Sequence, residues 1–306
     1  MESTKSKKIK GFKRFKERAI EQILLIISIL SILIVFIIFL YLILEGAPAF
    51  SKISFIDFIF GREWFSPIDK YGIMPLLIGS LYVTVIATVI AVILGVPSAI
   101  VLSEMMSPSI ASIIKPIIEI LNDIPSIVYG LIGMIILIPF MESSLSMVVG
   151  QSYLTAGIVL GIMALPTVIS VSDDAIRSVP KGIKEGSLAL GASHWETIKS
   201  VVIPSAISGI IASIILAMGR ILGETMAVMF LVGCVTQIPS PLYNIFQSGD
   251  TMTTRIVSEM GEAARGSLQY HSLVSIGIIL LIIVTILNLV ADYARIRVQK
   301  KFGGVR

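Results

Sequence analysis

The chain has 306 residues, of which 55% are hydrophobic and only 14% are charged, and its mean hydropathy is +0.95. This composition excludes a soluble globular domain of this length and indicates an integral membrane protein. The 24 basic and 20 acidic residues leave a net charge of +4, but the basic ones flank hydrophobic runs, so a nucleic-acid partner is not indicated. The single cysteine, Cys234, is interpreted as a small apolar residue.

The first predicted element is a transmembrane helix at residues 23–44, preceded by a basic N-terminus at residues 1–22. The apolar run has the length needed to cross a hydrocarbon core. It is longer than the apolar core of a typical signal peptide, although Ala47-Pro48-Ala49 is similar to a cleavage site. We therefore interpret it as a retained span, followed by an external loop at residues 45–72 with short amphipathic pieces.

Five further apolar runs predict a membrane-embedded core at residues 73–292. These runs lie at residues 73–102, 116–140, 154–171, 206–234 and 272–291. The third run is interrupted by polar residues, among them Glu119, Asn122 and Asp123, which we expect near the membrane face. The predicted fold class is all-α, a polytopic membrane protein with six transmembrane helices.

The basic residues predict the orientation of these spans. Six spans place both termini on one side, together with a loop at residues 181–204 and the C-terminus at residues 293–306. Eighteen of the 24 basic residues fall on that side, and five fall on the other, which carries a long loop at residues 236–271. The positive-inside rule therefore predicts cytoplasmic termini. His194 and His271 fall in predicted loops and form no ligand cluster, so no metal or cofactor is predicted.

The loop at residues 181–204 is more than a connector. Ile183, Leu188, Leu190 and Trp195 recur at helical spacing with charges between them, which is typical of an amphipathic helix. Gly191 interrupts the pattern and predicts two short helices joined by a sharp turn. The composition supports equally a helix that lies on lipid headgroups and a helix that docks on a soluble partner.

This loop resembles the permease signature of ATP-binding-cassette importers. The matching positions are Glu185, Gly186, Ser187, Gly191, Val201, Ile203 and Pro204. The family usually has two alanines where this chain has Gly186-Ser187, a change that keeps the residues small but lowers helix propensity. The resemblance implies a type I importer permease fold with a cytoplasmic coupling-helix loop. It also implies that a set of residues contacts an ATPase subunit: Glu185, Gly186, Ser187, Leu188, Ala189, Gly191, Trp195 and Pro204.

Four other motifs resemble the C-type permease subunit of the phosphate-specific importer. They are YGIMPLLIGS at 71–80, NDIPSIVYG at 122–130, GRILGETMAV at 219–228 and SEMGEA at 258–263. The resemblance implies a plasma-membrane subunit of an ATP-driven importer that moves inorganic phosphate from an external binding protein to the cytoplasm. The implied partners are a second, A-type permease subunit, two cytoplasmic ATPase subunits, the phosphate-binding protein and membrane lipid.

Arg220 and Glu224 are ionisable residues inside the fifth apolar run. They are four residues apart, so one continuous helix would place them on the same face as a pair. A lone Arg at the bilayer centre costs roughly 2.5–3.5 kcal/mol, and its planar guanidinium suits an oxyanion. A substrate pathway and a pair that only packs helices both remain open. Thr225 either adds a hydroxyl donor or bonds back to a carbonyl of its own helix.

A phosphate-binding loop of the form GxxxxGK[ST] is absent from the sequence. The chain is therefore predicted not to be an enzyme, and ATP hydrolysis is expected in a partner subunit. Three alternatives remain: a permease for another oxyanion such as molybdate or sulfate, a secondary transporter driven by an ion gradient, and a membrane scaffold for phosphate sensing that transports nothing.

Overall fold

The computed structural model describes the backbone of residues 2–145 and 147–302. Side chains are described from residue 20 onward, except those of residues 146, 294, 295 and 298–306. The basic side chains of the N-terminus, on which part of the predicted orientation depends, lie outside the described residues.

The described part of the chain is largely helical. Its α-helices are α1 (Glu2–Gly46), α2 (Phe55–Phe60), α3 (Met74–Ile100), α4 (Pro108–Asn122), α5 (Ser126–Ile132), α6 (Ile138–Ser144), α7 (Tyr153–Arg177), α8 (Lys181–Ala189), α9 (His194–Thr197), α10 (Ile203–Gly223), α11 (Met226–Leu231), α12 (Met252–Met260) and α13 (Leu268–Phe302). Two short antiparallel strands, β1 (Trp64–Phe65) and β2 (Lys70–Tyr71), pair Trp64 with Tyr71. π-helical turns extend α3 through Met105, join α5 to α6 and join α9 to α10.

The prediction of six spans is confirmed. Among the described residues, six helical stretches are long and apolar enough to cross a membrane: Ile20–Ser51, Met74–Met105, Ser126–Ser144, Tyr153–Arg177, His194–Gly223 and Leu268–Tyr293. The prediction of loops around both histidines is wrong. His194 is the first residue of α9, and His271 lies in the first turn of α13, because each helix begins before the apolar run that marked it.

Helix α7 lies at the centre of the bundle. In its most apolar stretch 67% of the residues are buried, against 28% or fewer in each of the other five spans. Gly157 and Gly161 let α7 approach Ile86 and Ile90 of α3, since a Cβ on either glycine would lie within 3 Å of those side chains. We call the end of the bundle that carries α8 and α9 the α8 end, and the end that carries the β1–β2 hairpin the hairpin end.

The predicted third run, residues 116–140, is broken near its start. Helix α4 ends at Asn122, and α5 begins at Ser126 after Pro125, which lacks an N–H and disfavours helix before it. Asn122, which we expect near the membrane face, contacts the middle of α7. Its side chain accepts a hydrogen bond from Thr167 at 2.9 Å. Thr167 lies ten residues, or about 15 Å, along α7 from Arg177, so this contact is deep in the bundle.

The fifth span ends earlier than predicted. A single helix was expected across residues 206–234, but α10 ends at Gly223, and Glu224 is extended with φ −72° and ψ 133°. After α11 the chain turns at Gly233 and Cys234, both with positive φ, and residues 235–251 pack back on the bundle. Gly249 donates to the carbonyl of Val232 at 2.8 Å and accepts from Val235 at 2.9 Å. The helix ends at Gly223, which is a poor helix former. The next residue, Glu224, uses its carboxylate to cap the following helix, α11.

Helix α1 contacts the bundle through its last two turns. The hydroxyls of Tyr41 and Tyr270 are 2.5 Å apart, and Ser275 donates to the carbonyl of Gly46 at 2.9 Å. From Ile20 to Leu40 its side chains are exposed. Most of the first span therefore presents an apolar surface to whatever surrounds this chain.

Polar contacts hold the hairpin end together around Glu259. Its carboxylate accepts from Trp64 Nε1 at 3.0 Å, Ser66 Oγ at 2.7 Å, Gln269 Nε2 at 3.0 Å and Arg255 Nη1 at 2.8 Å. Arg255 also pairs with the buried Asp250. One carboxylate therefore ties the hairpin to α12 and α13.

Acid is expected to loosen the hairpin end. Burial raises the pKa of Glu259, but the hydrogen bonds from Ser66, Gln269 and Arg255 outweigh it and place the pKa below its ordinary value of 4.5. The stabilisation is therefore complete above pH 4.5 and is lost as the pH falls through the lower folded-state pKa. In a Trp195→Phe background, the emission of Trp64 should shift with a midpoint below pH 4.5. A midpoint above that value, or the same transition in Glu259→Gln, contradicts this assignment.

Candidate functional site

Arg220 lies near the end of α10, with its guanidinium turned toward α4 and α7. Nη1 donates to Asn122 Oδ1 and, at 3.2 Å, to Thr167 Oγ1. Nη2 donates to the main-chain carbonyl of Asn122 at 3.2 Å. Among the described residues the partners of this cation are uncharged oxygen atoms. The cation is therefore held in place and its charge is not neutralised.

The predicted pairing of Arg220 with Glu224 is wrong. The pairing required one continuous helix, but the helix ends between the two residues. The carboxylate of Glu224 turns back onto α11 instead, where Oε1 accepts from the N–H groups of Thr225 at 3.1 Å and Ala227 at 3.3 Å. Glu224 thus caps the start of a short helix, which is a favourable place for a carboxylate.

Thr225 bonds to a nearby carbonyl, as one of its two predicted roles has it, but across the break and not within its own helix. Its hydroxyl donates to the carbonyl of Gly223 at 3.4 Å. Helix α12 also reaches this break, since Thr253 Oγ1 donates to the carbonyl of Glu224 at 2.9 Å. A hydrogen bond therefore connects the break in the fifth span to the hairpin end.

A cavity of about 670 Å³ opens beside Arg220. Its polar lining comes from four helices: Asn122, Thr167, Arg220, Asn288 and Asp292. The sequence analysis identifies Arg220 as a candidate pathway residue but does not identify Thr167, Asn288 or Asp292. A single threonine, asparagine or aspartate carries little signal without its neighbours in space. Asn122 has a signal, since it is a polar residue inside an apolar run, but the sequence does not connect it to Arg220.

The loop at residues 181–204 begins with two short helices, as predicted. Helix α8 ends at Ala189, the chain turns at Gly191 with φ +89°, and Ser193 caps α9 by accepting from the N–H of Glu196. Helix α8 has no buried residue. Leu190 is 91% exposed and Trp195 is 59% exposed, so the turn presents apolar side chains to the exterior. Pro204, in contrast, belongs to the first turn of α10.

One residue of the second span holds both short helices. The carboxylate of Glu104 pairs with Lys184 of α8, and its main-chain carbonyl lies 3.1 Å from Nε2 of His194 in α9. The hydroxyls of Ser187 and Thr197 are 3.0 Å apart and join the two helices to each other. Polar contacts therefore connect α8 and α9 to the end of the α3 span.

A second set of ion pairs fixes α4 beside α7. Asp173 is fully buried and pairs with Lys115 at 3.0 Å and with Arg177 at 2.8 Å. Lys115 also pairs with Asp174 at 2.6 Å. Because Lys115 lies two turns before Asn122, these pairs hold α4 at the register that brings Asn122 to Arg220.

The family model for the binding-protein-dependent transport system inner membrane component matches residues 91–302, which covers more than half of the chain. The chain belongs to this family. The matched region contains α8, α9, Arg220 and the cavity, so the site described above is part of a family permease. The chain is accordingly a multi-pass membrane subunit of a transporter.

Curated relatives cover most of the chain. It is 36% identical over 259 residues to the probable ABC transporter permease protein YqgH of Bacillus subtilis, covering 83% of this chain and 82% of the relative. It is 31% identical over 265 residues to the phosphate transport system permease protein PstC of Mesorhizobium japonicum, covering 80% of each. The PstC protein of Haemophilus influenzae is 30% identical over 265 residues, covering 80% of this chain and 82% of the relative.

Solved structures share the fold at low sequence identity. A chain of the inward-facing MetNI methionine ABC transporter superposes with a TM-score of 0.57 at 18% identity, covering 77% of this chain and 99% of the other. A chain of a bacterial ABC transporter that imports the acidic polysaccharide alginate superposes with a TM-score of 0.59 at 17% identity, covering 93% and 99%. The permease thus has the type I ABC importer permease fold.

Proposed function

We propose that this permease carries inorganic phosphate across the plasma membrane, and that Arg220 contacts the anion on its way. The observation that carries the proposal is an unneutralised guanidinium held by Asn122 and Thr167, deep in the bundle, at the polar side of a cavity whose other walls are largely apolar. A planar fork of N–H donors that stays charged at every physiological pH suits an oxyanion. Relatives named as phosphate permeases support phosphate as the substrate.

The transporter that we propose is a complex. The α8 end faces the cytoplasm, where α8, Gly191 and Trp195 dock on an ATPase subunit, and the hairpin end faces an external phosphate-binding protein. A second, A-type permease covers the open side of the bundle, and two ATPase subunits supply the energy. The exposed apolar turn at Leu190 and the anchoring of α8 and α9 to Glu104 support this direction of force transfer.

The test is uptake of labelled phosphate by vesicles that contain the assembled complex and the loaded binding protein, with and without ATP. We expect uptake only with ATP, and competition by unlabelled phosphate but not by molybdate or sulfate. Uptake that does not depend on ATP but does depend on an ion gradient would overturn the proposal in favour of a secondary transporter. Equal competition by molybdate or sulfate would overturn the assignment of phosphate.

Replacing Gly191 by alanine should impair coupling, because Gly191 has φ +89° and any L side chain is strained there. The left-handed conformation costs roughly 1–2 kcal/mol for a residue with a Cβ. Gly182 offers a matched control, since an added Cβ at either glycine meets nothing within 4 Å. We expect Gly191→Ala to lower ATP-driven uptake about fivefold or more, and Gly182→Ala to lower it much less, because φ at Gly182 is not positive. Equal uptake by the two variants would contradict a role for the turn.

A further inference from the structure

We infer that Asn122 is a positioning and specificity residue for the anion, because it holds Arg220 without neutralising it. The inference rests on the proposed function and adds a residue from a different span to the site. The role of Asn122 is inferred from its contacts in the folded chain. It could not be inferred from Arg220 and Glu224, the ionisable residues of the fifth span.

The main-chain part of the contact depends on the break between α4 and α5. In an unbroken helix the carbonyl of Asn122 would accept from the N–H of residue 126. The break at residues 123–125 leaves this carbonyl without that partner, and Nη2 of Arg220 donates to it at 3.2 Å. The guanidinium therefore caps the C-terminus of α4, where the helix dipole favours a cation.

The side-chain part of the contact is equally specific. The hydroxyl of Thr167 donates to Asn122 Oδ1 at 2.9 Å and accepts from Nη1 of Arg220 at 3.2 Å, while Oδ1 also accepts from Nη1. Every proton in this triangle has an acceptor, which fixes the amide of Asn122 with its oxygen toward the cation. Asn122 and Thr167 thus satisfy both N–H groups of Nη1.

The donor count shows which edge of Arg220 remains for the anion. A guanidinium has five N–H groups. Asn122 and Thr167 take three of them, and among the described residues the remaining two, on Nε and Nη2, have no acceptor. These two N–H groups are parallel and form the edge that binds two oxygens of one oxyanion. Asn122 therefore selects the binding edge and leaves the positive charge available to the anion.

The decisive variant is Asn122→Asp, which keeps the shape of the side chain but adds a carboxylate beside Arg220. Two opposite unit charges in contact attract strongly away from bulk water, so the new carboxylate competes with phosphate. We expect the maximal rate of ATP-driven phosphate uptake to fall about tenfold or more, with the KM for the loaded binding protein unchanged, because the binding protein docks at the hairpin end.

A comparison with Asn122→Leu separates this inference from a merely structural role. If Asn122 only packed α4 against α7, the isosteric aspartate would be tolerated and leucine would be damaging. We expect the opposite order, with aspartate the more damaging. Asp123→Asn is the control, since Asp123 is the next residue, is exposed and should transport like the unmodified protein. Assembly of each variant is checked by co-purification of the partner subunits.

The outcomes are distinguishable. Uptake by Asn122→Asp at the rate of the unmodified complex overturns the inference and leaves the proposed function intact. Greater loss in Asn122→Leu than in Asn122→Asp also overturns it. Absence of ATP-driven phosphate uptake by the unmodified complex overturns the proposed function, and this inference falls with it. A drop in Asn122→Asp with normal assembly and an unchanged KM supports it.

Discussion

Arg220→Gln is expected to lower ATP-driven phosphate uptake by at least about 100-fold, since two hydrogen bonds from a charged donor contribute roughly 1.5–3 kcal/mol each, or roughly 3–6 kcal/mol together. Glutamine removes both the charge and the parallel N–H groups of Nε and Nη2. Arg220→Lys keeps the charge without the planar fork, so a smaller loss of about tenfold is expected. The measurement is initial uptake of labelled phosphate by the assembled complex in vesicles, with partner subunits quantified by co-purification.

The matched control is Arg62→Gln, an arginine on the exposed surface of the hairpin end. It changes the net charge by the same amount and should transport normally. Normal uptake by Arg220→Gln in a complex of normal composition would show that the guanidinium only packs helices. A loss of similar size in Arg62→Gln would show that net charge, and not the position of the cation, governs uptake.

Trp195→Ala is expected to weaken binding of the ATPase subunit by about 30-fold, which corresponds to the roughly 2 kcal/mol that marks an interface hot spot. Trp195 is 59% exposed in α9, next to the turn that presents Leu190. An exposed Trp beside an exposed Leu gains most when a partner buries both. The measurement is the affinity of the purified ATPase subunit for the permease complex in detergent, together with uptake.

The control for Trp195 is Tyr243→Ala, an aromatic residue that is 83% exposed in residues 235–251, which pack back at the other end of the bundle. Its loss should not change the affinity of the ATPase subunit. Unchanged affinity in Trp195→Ala would favour the alternative that α8 and α9 lie on lipid headgroups. In that case vesicle binding, and not ATPase binding, would depend on Trp195.

The coupling segment was largely predictable because its signals are local. Helical spacing marked α8, and Gly191 marked the turn, since a positive φ strongly favours a residue without a Cβ. The anchor at Glu104 was not predictable. It lies 80 residues before Lys184, and only the packing of α3 against the loop brings the two together.

The charged site shows the limit of local reasoning more clearly. Arg220 stood out because a cation in an apolar run is costly, and its location deep in the bundle agrees with that signal. Its partner was assigned by helical periodicity, which holds only within one helix. Because α10 ends at Gly223, helical spacing does not predict the position of Glu224 relative to Arg220. The partner that Arg220 contacts is Asn122, which is 98 residues away in the sequence.

By itself the sequence determined that this chain crosses a membrane six times, that one loop carries a two-helix element, and that Arg220 is exceptional. Those features depend on composition and on contacts between neighbours in the chain. Only the tertiary structure decided which oxygen atoms hold Arg220, that Glu224 caps α11, and that Glu104 anchors α8 and α9. The reason is physical, since the partners of a buried polar group are those that packing brings within hydrogen-bond distance, and packing is set by the whole bundle.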